Sequence, residues 1–462
     1  MKKLAFLPML LLSAGCAVGP NYKRPTVNMP TEYRAAMRAQ PDAVASFGND
    51  KWWDVYQDPV LTQLIHTTLE KNYDARIAAT RVLEAQAALG ITRANQFPSA
   101  SVGADIYSQK NAKVSSVFPD YEVNAGQLNL SVIWNLDFWG KYRRQTEEAR
   151  AQVLATQWGQ QAVISSLIAN VATAYFQLRA LDSELEIAKR TLQSRQRSLQ
   201  LTRVLETHGS VSDLDVSQSE QLVYTASGTI PDLERQIEQQ ENLLSILLGE
   251  NPGSIPRGRA LTDQPLPENV PAGLPSELLE RRPDVREAEA NMVAANAQIG
   301  VAKASFFPSL ALTGAGGMES NALNRFLDQP SQTWNAGFHI IQPVFEGGAL
   351  RSQLRQARAQ WQETVLSYQQ TVQIALGQVS NALIAYQKGR QFREQQEMLA
   401  QAAERSDRLS NVLYQQGGAS YLQVLTNETN YFSAELDLVQ AQLNERLALV
   451  QLYQALGGGW QR

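Results

Sequence analysis

The run Leu128-Asn129-Leu130-Ser131-Val132-Ile133-Trp134-Asn135-Leu136 alternates apolar with mostly polar residues. A period of two residues is typical of a β-strand that has one apolar and one polar face. The segment from Ser99 to Tyr107 alternates in the same way, and a polar loop separates the two segments. Together they predict a strand hairpin over about 99–138.

The sequence around this hairpin occurs twice. Phe97-Pro98-Ser99 recurs as Phe307-Pro308-Ser309 at an offset of 210, and three further anchors keep an offset of 208. Those anchors pair Ala149-Arg150-Ala151-Gln152 with Ala357-Arg358-Ala359-Gln360, Val204-Leu205 and Gly209 with Val412-Leu413 and Gly417, and Leu248-Gly249 with Leu456-Gly457. We therefore predict two repeats, 59–250 and 276–457, with a second strand hairpin over about 309–346. The six prolines within 251–275 predict a linker without helix between the repeats.

Long helices are predicted after each strand hairpin. Apolar residues on a heptad-like seam predict them over about 143–207 and 349–415. Some 65 residues at ~1.5 Å each correspond to a helix of roughly 100 Å. A glycine-containing turn ends each long helix, and returning helices are predicted over about 213–248 and 421–456. Shorter helices, which are predicted over 59–96 and 275–306, open the two repeats.

The first residues predict export and a lipid anchor. Lys2 and Lys3 precede a short apolar stretch, and small residues lead to Cys16, the single cysteine of the chain. This is the layout of a signal peptide, predicted here as residues 1–15. The cysteine resembles that of a lipobox, where it is acylated and becomes the first mature residue, and Ala17 resembles the signal for delivery to the outer membrane. The mature chain would carry 39 basic and 45 acidic residues, so its net charge is 39 minus 45, or −6.

Composition and motifs argue against several classes of protein. The 462 residues include 41 Lys and Arg against 45 Asp and Glu, so no basic excess indicates binding to nucleic acid. One cysteine and three scattered histidines predict no metal centre, and no cofactor is expected beyond the covalent lipid on Cys16. Motifs of serine hydrolases, P-loop proteins and zinc proteases are absent, so no catalytic residue and no enzyme activity are predicted.

Four predicted strands per chain limit what the protein can build. Four strands do not close a transmembrane barrel, for which about eight are the practical minimum. An open sheet edge in lipid would leave backbone groups unpaired. The chain must therefore either oligomerise or keep its strands out of the membrane. Three copies would supply twelve strands around a water-filled lumen, with apolar side chains facing outward.

Several segments together resemble one known family. They are Cys16 to Pro25, Trp52-Trp53 with Asp58-Pro59, Arg281-Arg282-Pro283-Asp284-Val285, both Phe-Pro-Ser sites, and Tyr414-Gln415-Gln416-Gly417. The chain resembles the outer-membrane factor (TolC-like) family of efflux channels, in particular its lipoprotein branch, which serves resistance–nodulation–division pumps. The resemblance implies a mainly α fold with a β-barrel contribution. It describes a homotrimer whose twelve-stranded outer-membrane barrel, with four strands per chain, stands on a long periplasmic α-helical barrel.

The resemblance also implies the remaining segments and the partners. An equatorial belt would take residues 26–58 of the anchor segment 16–58, the linker 251–275 and the C-terminal tail 458–462. The channel would lie in the bacterial outer membrane among its lipids, with a long periplasmic extension. It would act with a periplasmic adaptor protein and an inner-membrane resistance–nodulation–division pump.

A gate at the periplasmic end is implied in the same way. The family closes this end by coiling its helical hairpins inward, and the adaptor engages their tips. The predicted gate residues are Leu214 and Leu422 as an apolar ring, Asp213 and Asp215 as an acidic ring, and Tyr421; the predicted adaptor-contacting residues are Gly209, Ser210, Gly417 and Gly418. An alternative for Asp213 is an N-cap of the returning helix. Relatives often carry an acid where Thr426 stands, and Glu428 would either substitute for it or face solvent.

The function expected from these features is passive, gated export of drugs and toxic amphiphiles from the periplasm or the pump to the outside. The alternative is a lipid-anchored periplasmic coiled-coil adaptor without a pore. Lipidation and long helices suit that alternative, whereas two helical hairpins and two strand hairpins do not. The three histidines and seven methionines give no support for copper or silver export and do not exclude it.

Overall fold

The computed structural model describes residues 17–34, 46–110, 122–264, 267, 270–321 and 326–460. The predicted signal peptide, Cys16 and the last two residues of the predicted tail lie outside these ranges. The chain divides into two compact units. The first unit draws on 1–26, 81–157 and 287–369, and the second on 27–80, 158–286 and 370–462.

A four-stranded antiparallel sheet lies in the first unit, in the order β1-β2-β3-β4. The strands are β1 (Ser99–Lys110), β2 (Glu122–Leu136), β3 (Ser309–Ser320) and β4 (Gln332–Ile341). Residues paired across antiparallel strands share a face. The register therefore places polar side chains such as Asp105, Asn129, Thr313 and Asn335 on one face, and Val102, Leu130, Leu312 and Phe338 on the other. The alternation seen in the sequence thus separates the two faces of the sheet.

Nine α-helices occur in the described residues, besides short 3-10 helices. They are α1 (Trp52–Val55), α2 (Pro59–Lys71), α3 (Tyr73–Ala94), α4 (Lys141–Thr207), α5 (Asp213–Leu248), α6 (Leu278–Arg281), α7 (Pro283–Ala304), α8 (Ala349–Gln415) and α9 (Tyr421–Ala455). The predicted fold class, mainly helical with four strands, is confirmed. In the part of the chain that the structure describes, no helix is long and apolar enough to cross a membrane.

The two opening helices are shorter than predicted, because each is interrupted by a capping or proline position. Asn72 separates α2 from α3, and its Oδ1 accepts hydrogen bonds from the Asp74 and Ala75 amides at 2.7 and 3.2 Å. In the second repeat, Arg282 is extended before Pro283, as expected for a residue that precedes proline. Its Nη1 donates to the Ala455 carbonyl at 3.0 Å, which fixes the break. The predictions of single helices over 59–96 and 275–306 are therefore wrong at these two points.

A buried carboxylate, Asp58, anchors the proline-rich linker within the second unit. Its Oδ1 accepts from the Val60 amide at 2.9 Å and so caps α2. Its Oδ2 accepts from the Tyr175 hydroxyl at 3.0 Å, the Arg259 amide at 3.1 Å and Gln264 Nε2 at 2.6 Å. Burial disfavours the charged form, but these hydrogen bonds outweigh it and hold the pKa of Asp58 below its ordinary value. The linker around 258–264 is therefore anchored through polar contacts.

Candidate gate at the hairpin tips

The two helical turns after α4 and α8 have the same backbone geometry. We call residues 204–222 the first tip and residues 412–428 the second tip. Gly209 and Gly417 both adopt positive φ, 71° and 73°. The Ser210 amide donates to the Leu205 carbonyl at 2.9 Å, and the Gly418 amide donates to the Leu413 carbonyl at 2.8 Å. Both are Schellman motifs, in which a left-handed residue ends the helix.

Serine residues begin the two returning helices. Ser212 Oγ accepts from the Asp215 amide at 3.4 Å, and Ser420 Oγ accepts from the Gln423 amide at 3.4 Å. At the first tip the bond is reciprocated, because the Ser212 amide donates to Asp215 Oδ2 at 2.9 Å. This is a capping box. The alternative that Asp213 is the N-cap is therefore wrong. Asp213 is the first helical residue, where its charge favourably opposes the helix dipole.

The predicted apolar gate residues are exposed, whereas the predicted gate tyrosine is not. Leu214 is 64% exposed and Leu422 is 62% exposed in the single chain. Tyr421 is buried in a cluster with Val424 and Leu425, and Leu222 of α5 packs against it. The structure therefore gives the two leucines equivalent positions at the two tips and places Tyr421 inside the second tip.

A hydrogen bond connects the two tips. The Tyr421 hydroxyl bonds to Ser219 Oγ, and Ser219 Oγ also donates to the Asp215 carbonyl at 2.9 Å. Residues of α5 and α9 are thereby held together near the start of both returning helices. Sequence reasoning missed Ser212, Ser219 and Ser420. The spacing of Ser212 and Asp215 is a visible capping-box pattern, but nothing local pairs Ser219 with Tyr421, 202 residues away.

Glu428, the last residue of the second tip, occupies a buried polar position. Its Oε1 accepts from Ser198 Oγ of α4 at 3.2 Å, while its Oε2 has no hydrogen-bond partner among the described residues. Burial raises the pKa of Glu428, Asp407 raises it further, and Ser198 and Arg195 oppose the shift. The alternative that Glu428 faces solvent is wrong for the single chain. Arg195 is buried beside it, donates to the Leu222 carbonyl at 3.0 Å and lies over the Phe432 ring.

The segment that follows Cys16 contacts Trp139, α4 and α7 in the first unit, although Cys16 itself lies outside the described residues. The Val18 amide donates to the Trp139 carbonyl at 3.0 Å, and Arg144 Nη2 donates to Asn21 Oδ1 at 2.9 Å. Further along, Arg24 makes a bidentate pair with Glu289 at 2.6 and 2.5 Å. We call residues Val18 to Arg24 the strap. In the sequence, only Ala17 separates the strap from Cys16, the predicted lipid attachment point. Within the described ranges, no group of three His, Cys, Asp or Glu side chains is arranged to hold a metal ion.

Comparison with known proteins identifies the family. The sequence model of the family described as "Outer membrane efflux protein" matches residues 64–250 and 274–458. The chain is 35% identical to the "Solvent efflux pump outer membrane protein SrpC" of Pseudomonas putida, over 99% of each chain. It is 33% identical to the "Cation efflux system protein CusC" of Escherichia coli O6:H1, over 100% of this chain and 99% of that protein. The chain therefore belongs to the outer membrane efflux protein family.

The fold leads to the same conclusion. The outer-membrane channel OprN matches with a TM-score of 0.90 at 30% identity, over 97% of this chain and 100% of that chain. The predicted function is confirmed to this level: the protein is an outer-membrane component of an efflux system, with the fold of an outer-membrane channel. The alternative of an adaptor without a pore is thereby set aside.

Proposed function

We propose that three copies of this chain form a passive, gated export channel. The observation that carries this proposal is the sheet, which has one polar and one apolar face and leaves β1 and β4 as edges within one chain. A membrane-embedded sheet needs partners for its edge strands. Three copies supply twelve strands, enough to close a barrel with its polar face around a water-filled lumen.

The gate of this channel is proposed at the two tips. Exposed Leu214 and Leu422, repeated by three-fold symmetry, supply an apolar constriction. Asp213 adds a ring of negative charge, which favours cations near the mouth. Asp215 contributes less to that ring, because the capping box already uses its carboxylate. The exposed turns at Gly209, Ser210, Gly417 and Gly418 are the proposed contacts for an adaptor.

The proposed partners and cargo rest on similarity to relatives as well as on this chain. Relatives of 33–35% identity are named for solvent, cation and antibiotic efflux, so similarity does not select one cargo. We propose drugs and toxic amphiphiles, delivered by a resistance–nodulation–division pump through a periplasmic adaptor. The energy for export comes from the pump, so the channel itself needs no catalytic step, no cofactor and no nucleic acid.

A lipid on Cys16 is proposed to anchor the mature chain in the outer membrane. The strap from Val18 to Arg24 supports this, because it begins two residues after Cys16 in the sequence and is hydrogen-bonded to Trp139, which follows β2. Cys16→Ser should abolish incorporation of labelled palmitate. Unchanged labelling would contradict the lipid anchor without affecting the channel.

The first experiment is the protein mass of the detergent-extracted particle, by light scattering with the detergent subtracted. One chain is 51.2 kDa with its signal, so three mature chains give roughly 150 kDa. A folded monomer that leaves the membrane without detergent would contradict the channel.

The gate is tested separately by conductance in planar bilayers and by antibiotic uptake. Leu214→Ser with Leu422→Ser should raise both, because a polar ring no longer expels water from the constriction. Leu243→Ser is the matched control, since Leu243 is an exposed leucine of α5 away from the tips. Conductance equal to that of the control would show that the gate lies elsewhere.

A further inference from the structure

A groove in the first unit shares no residue with the proposed gate. It has a volume of about 570 Å³ and is lined by residues of α4, α7 and α8. Glu148 and Gln152 line it from α4, Gln298 from α7 and Gln360 from α8. Three alanines of α7 also line it: Ala288, Ala294 and Ala295. The groove therefore combines one carboxylate and several amides with small apolar side chains.

The carboxylate of Glu148 is unpaired within the part of the chain that the structure describes. It is half-buried, and it makes no ion pair or hydrogen bond within the described ranges. Burial raises its pKa, which reflects the cost of removing an unpaired carboxylate from water. The neighbouring Glu147 differs, because it pairs with Arg144 at 2.7 Å. A positive charge bound in the groove would offset the cost at Glu148.

A second acceptor in the same groove also lacks a donor. The amide oxygen Oε1 of Gln298 is buried and has no hydrogen-bond partner among the described residues. Buried polar atoms without partners are uncommon in folded proteins and destabilise them. Glu148 and Gln298 lie on different helices, so they are independent indications of a missing donor. The three alanines beside them offer a surface for an apolar body.

We propose that this groove binds an organic cation that has an apolar body and N–H donors. Glu148 neutralises the charge of the cation, Gln298 Oε1 accepts a hydrogen bond from it, and the alanines of α7 contact its apolar part. The charge selects cations over neutral molecules, and the apolar contact selects organic over inorganic cations. Binding stands on the groove itself, whereas use of the groove by exported cargo rests on the proposed channel function.

The test uses the full chain in detergent and ethidium, an aromatic cation with two amino groups, titrated by fluorescence. Neutral phenanthridine is the uncharged comparison. We expect saturable ethidium binding that Glu148→Gln weakens by about tenfold or more, the loss of one charge-assisted contact. Glu363→Gln is the matched control, because Glu363 is exposed on α8 and does not line the groove. The ethidium affinity of this control should stay within about twofold of that of the unmodified chain.

A second variant tests the groove independently of whether Glu148→Gln folds correctly. Gln360 is exposed, and Gln360→Lys places an amine in the groove, where it pairs with Glu148 and displaces the ligand. Ethidium affinity should fall in this variant too, with the particle mass unchanged. Equal affinity in the Glu148→Gln and Glu363→Gln variants, equal binding of phenanthridine, or no ethidium binding would overturn the proposal. A trimer that does not bind ethidium would reject only the proposed binding groove. A monomer that binds ethidium would reject only the proposed channel.

Discussion

The first and second tips share a backbone and differ in the side chains that follow it. Positive-φ Gly209 and Gly417 end the long helices, and Ser212 and Ser420 begin the returning ones, each pair separated by 208 residues. The next position is Asp213 at the first tip, facing solvent, and Tyr421 at the second, buried. Duplication has therefore kept the residues that fix the chain path, while the residues that fix tip-to-tip contacts have diverged.

Two further pairs of positions show the same divergence. Asp215 completes a capping box, whereas Gln423 at the equivalent position only donates its amide to Ser420. Glu220 is paired with Arg203 at 2.6 Å on the surface, whereas the equivalent Glu428 is buried against Ser198. At these positions the second tip has buried or uncharged side chains, whereas the first tip has charged side chains nearer the surface.

The largest expected difference between the tips is at Asp213 and Tyr421. Tyr421→Ala should destabilise the second tip by about 3 kcal/mol, because it leaves a cavity beside Val424 and Leu425 and removes the partner of Ser219. Asp213→Ala removes only an exposed charge near a helix N-terminus, so its effect should be much smaller. Hydrogen exchange of peptides covering each tip measures both effects.

Tyr421→Phe separates the hydroxyl from the ring. This substitution should destabilise the second tip by about 1 kcal/mol, the usual net contribution of one hydrogen bond. Equal exchange in the Tyr421→Ala and Asp213→Ala variants would mean that the second tip is not held by its tyrosine.

Glycine substitutions test the part that the two tips share. Gly209→Ala and Gly417→Ala should each cost about 1–2 kcal/mol, because alanine is strained in the left-handed conformation. Open space surrounds both glycines within 4 Å, so no steric clash adds to this cost. The two losses, measured by exchange at each tip, should therefore agree. A clear inequality between them would show that the backbones are not equivalent.

The N-caps should give a smaller and unequal pair of effects. Ser212→Ala should cost about 1 kcal/mol, because it breaks a reciprocal capping box. Ser420→Ala should cost less. Of the two described tips, only the first has a second capping bond, from the Ser212 amide to the Asp215 side chain. Replacement by glycine at either position should recover most of the loss, because glycine is tolerated at N-caps. Helix-terminal exchange rates measure the order of these variants.

The sequence predicts these regions unevenly, for physical reasons. Local signals such as alternation near Leu130, the glycine of each turn and the long apolar seams predict strands, turns and long helices, because they act within a few residues. The break at Asn72 was missed, because it depends on the neighbouring Leu247 carbonyl as well as on its own cap. Tyr421 was predicted as a gate residue and its burial was missed, because that burial depends on Ser219 and Leu222 of another helix. Contacts between distant segments leave no periodic pattern in the sequence.

The last and smallest difference concerns the equivalent glutamates Glu220 and Glu428. The raised pKa of Glu428 means that the folded tip holds more protons than the unfolded chain above the ordinary glutamate range. The stabilisation of the folded tip by Glu428 is present below the ordinary glutamate range. It is lost as the pH rises through the raised pKa. Protection factors of peptides around Glu428, which correct for intrinsic exchange, should therefore fall as the pH rises, and Glu428→Gln should remove that dependence. Glu220→Gln breaks an exposed ion pair, so it should change stability by at most about 0.5 kcal/mol and leave this dependence intact. Retention of the pH dependence in Glu428→Gln would assign it to Asp407, the neighbouring carboxyl whose pKa burial also raises.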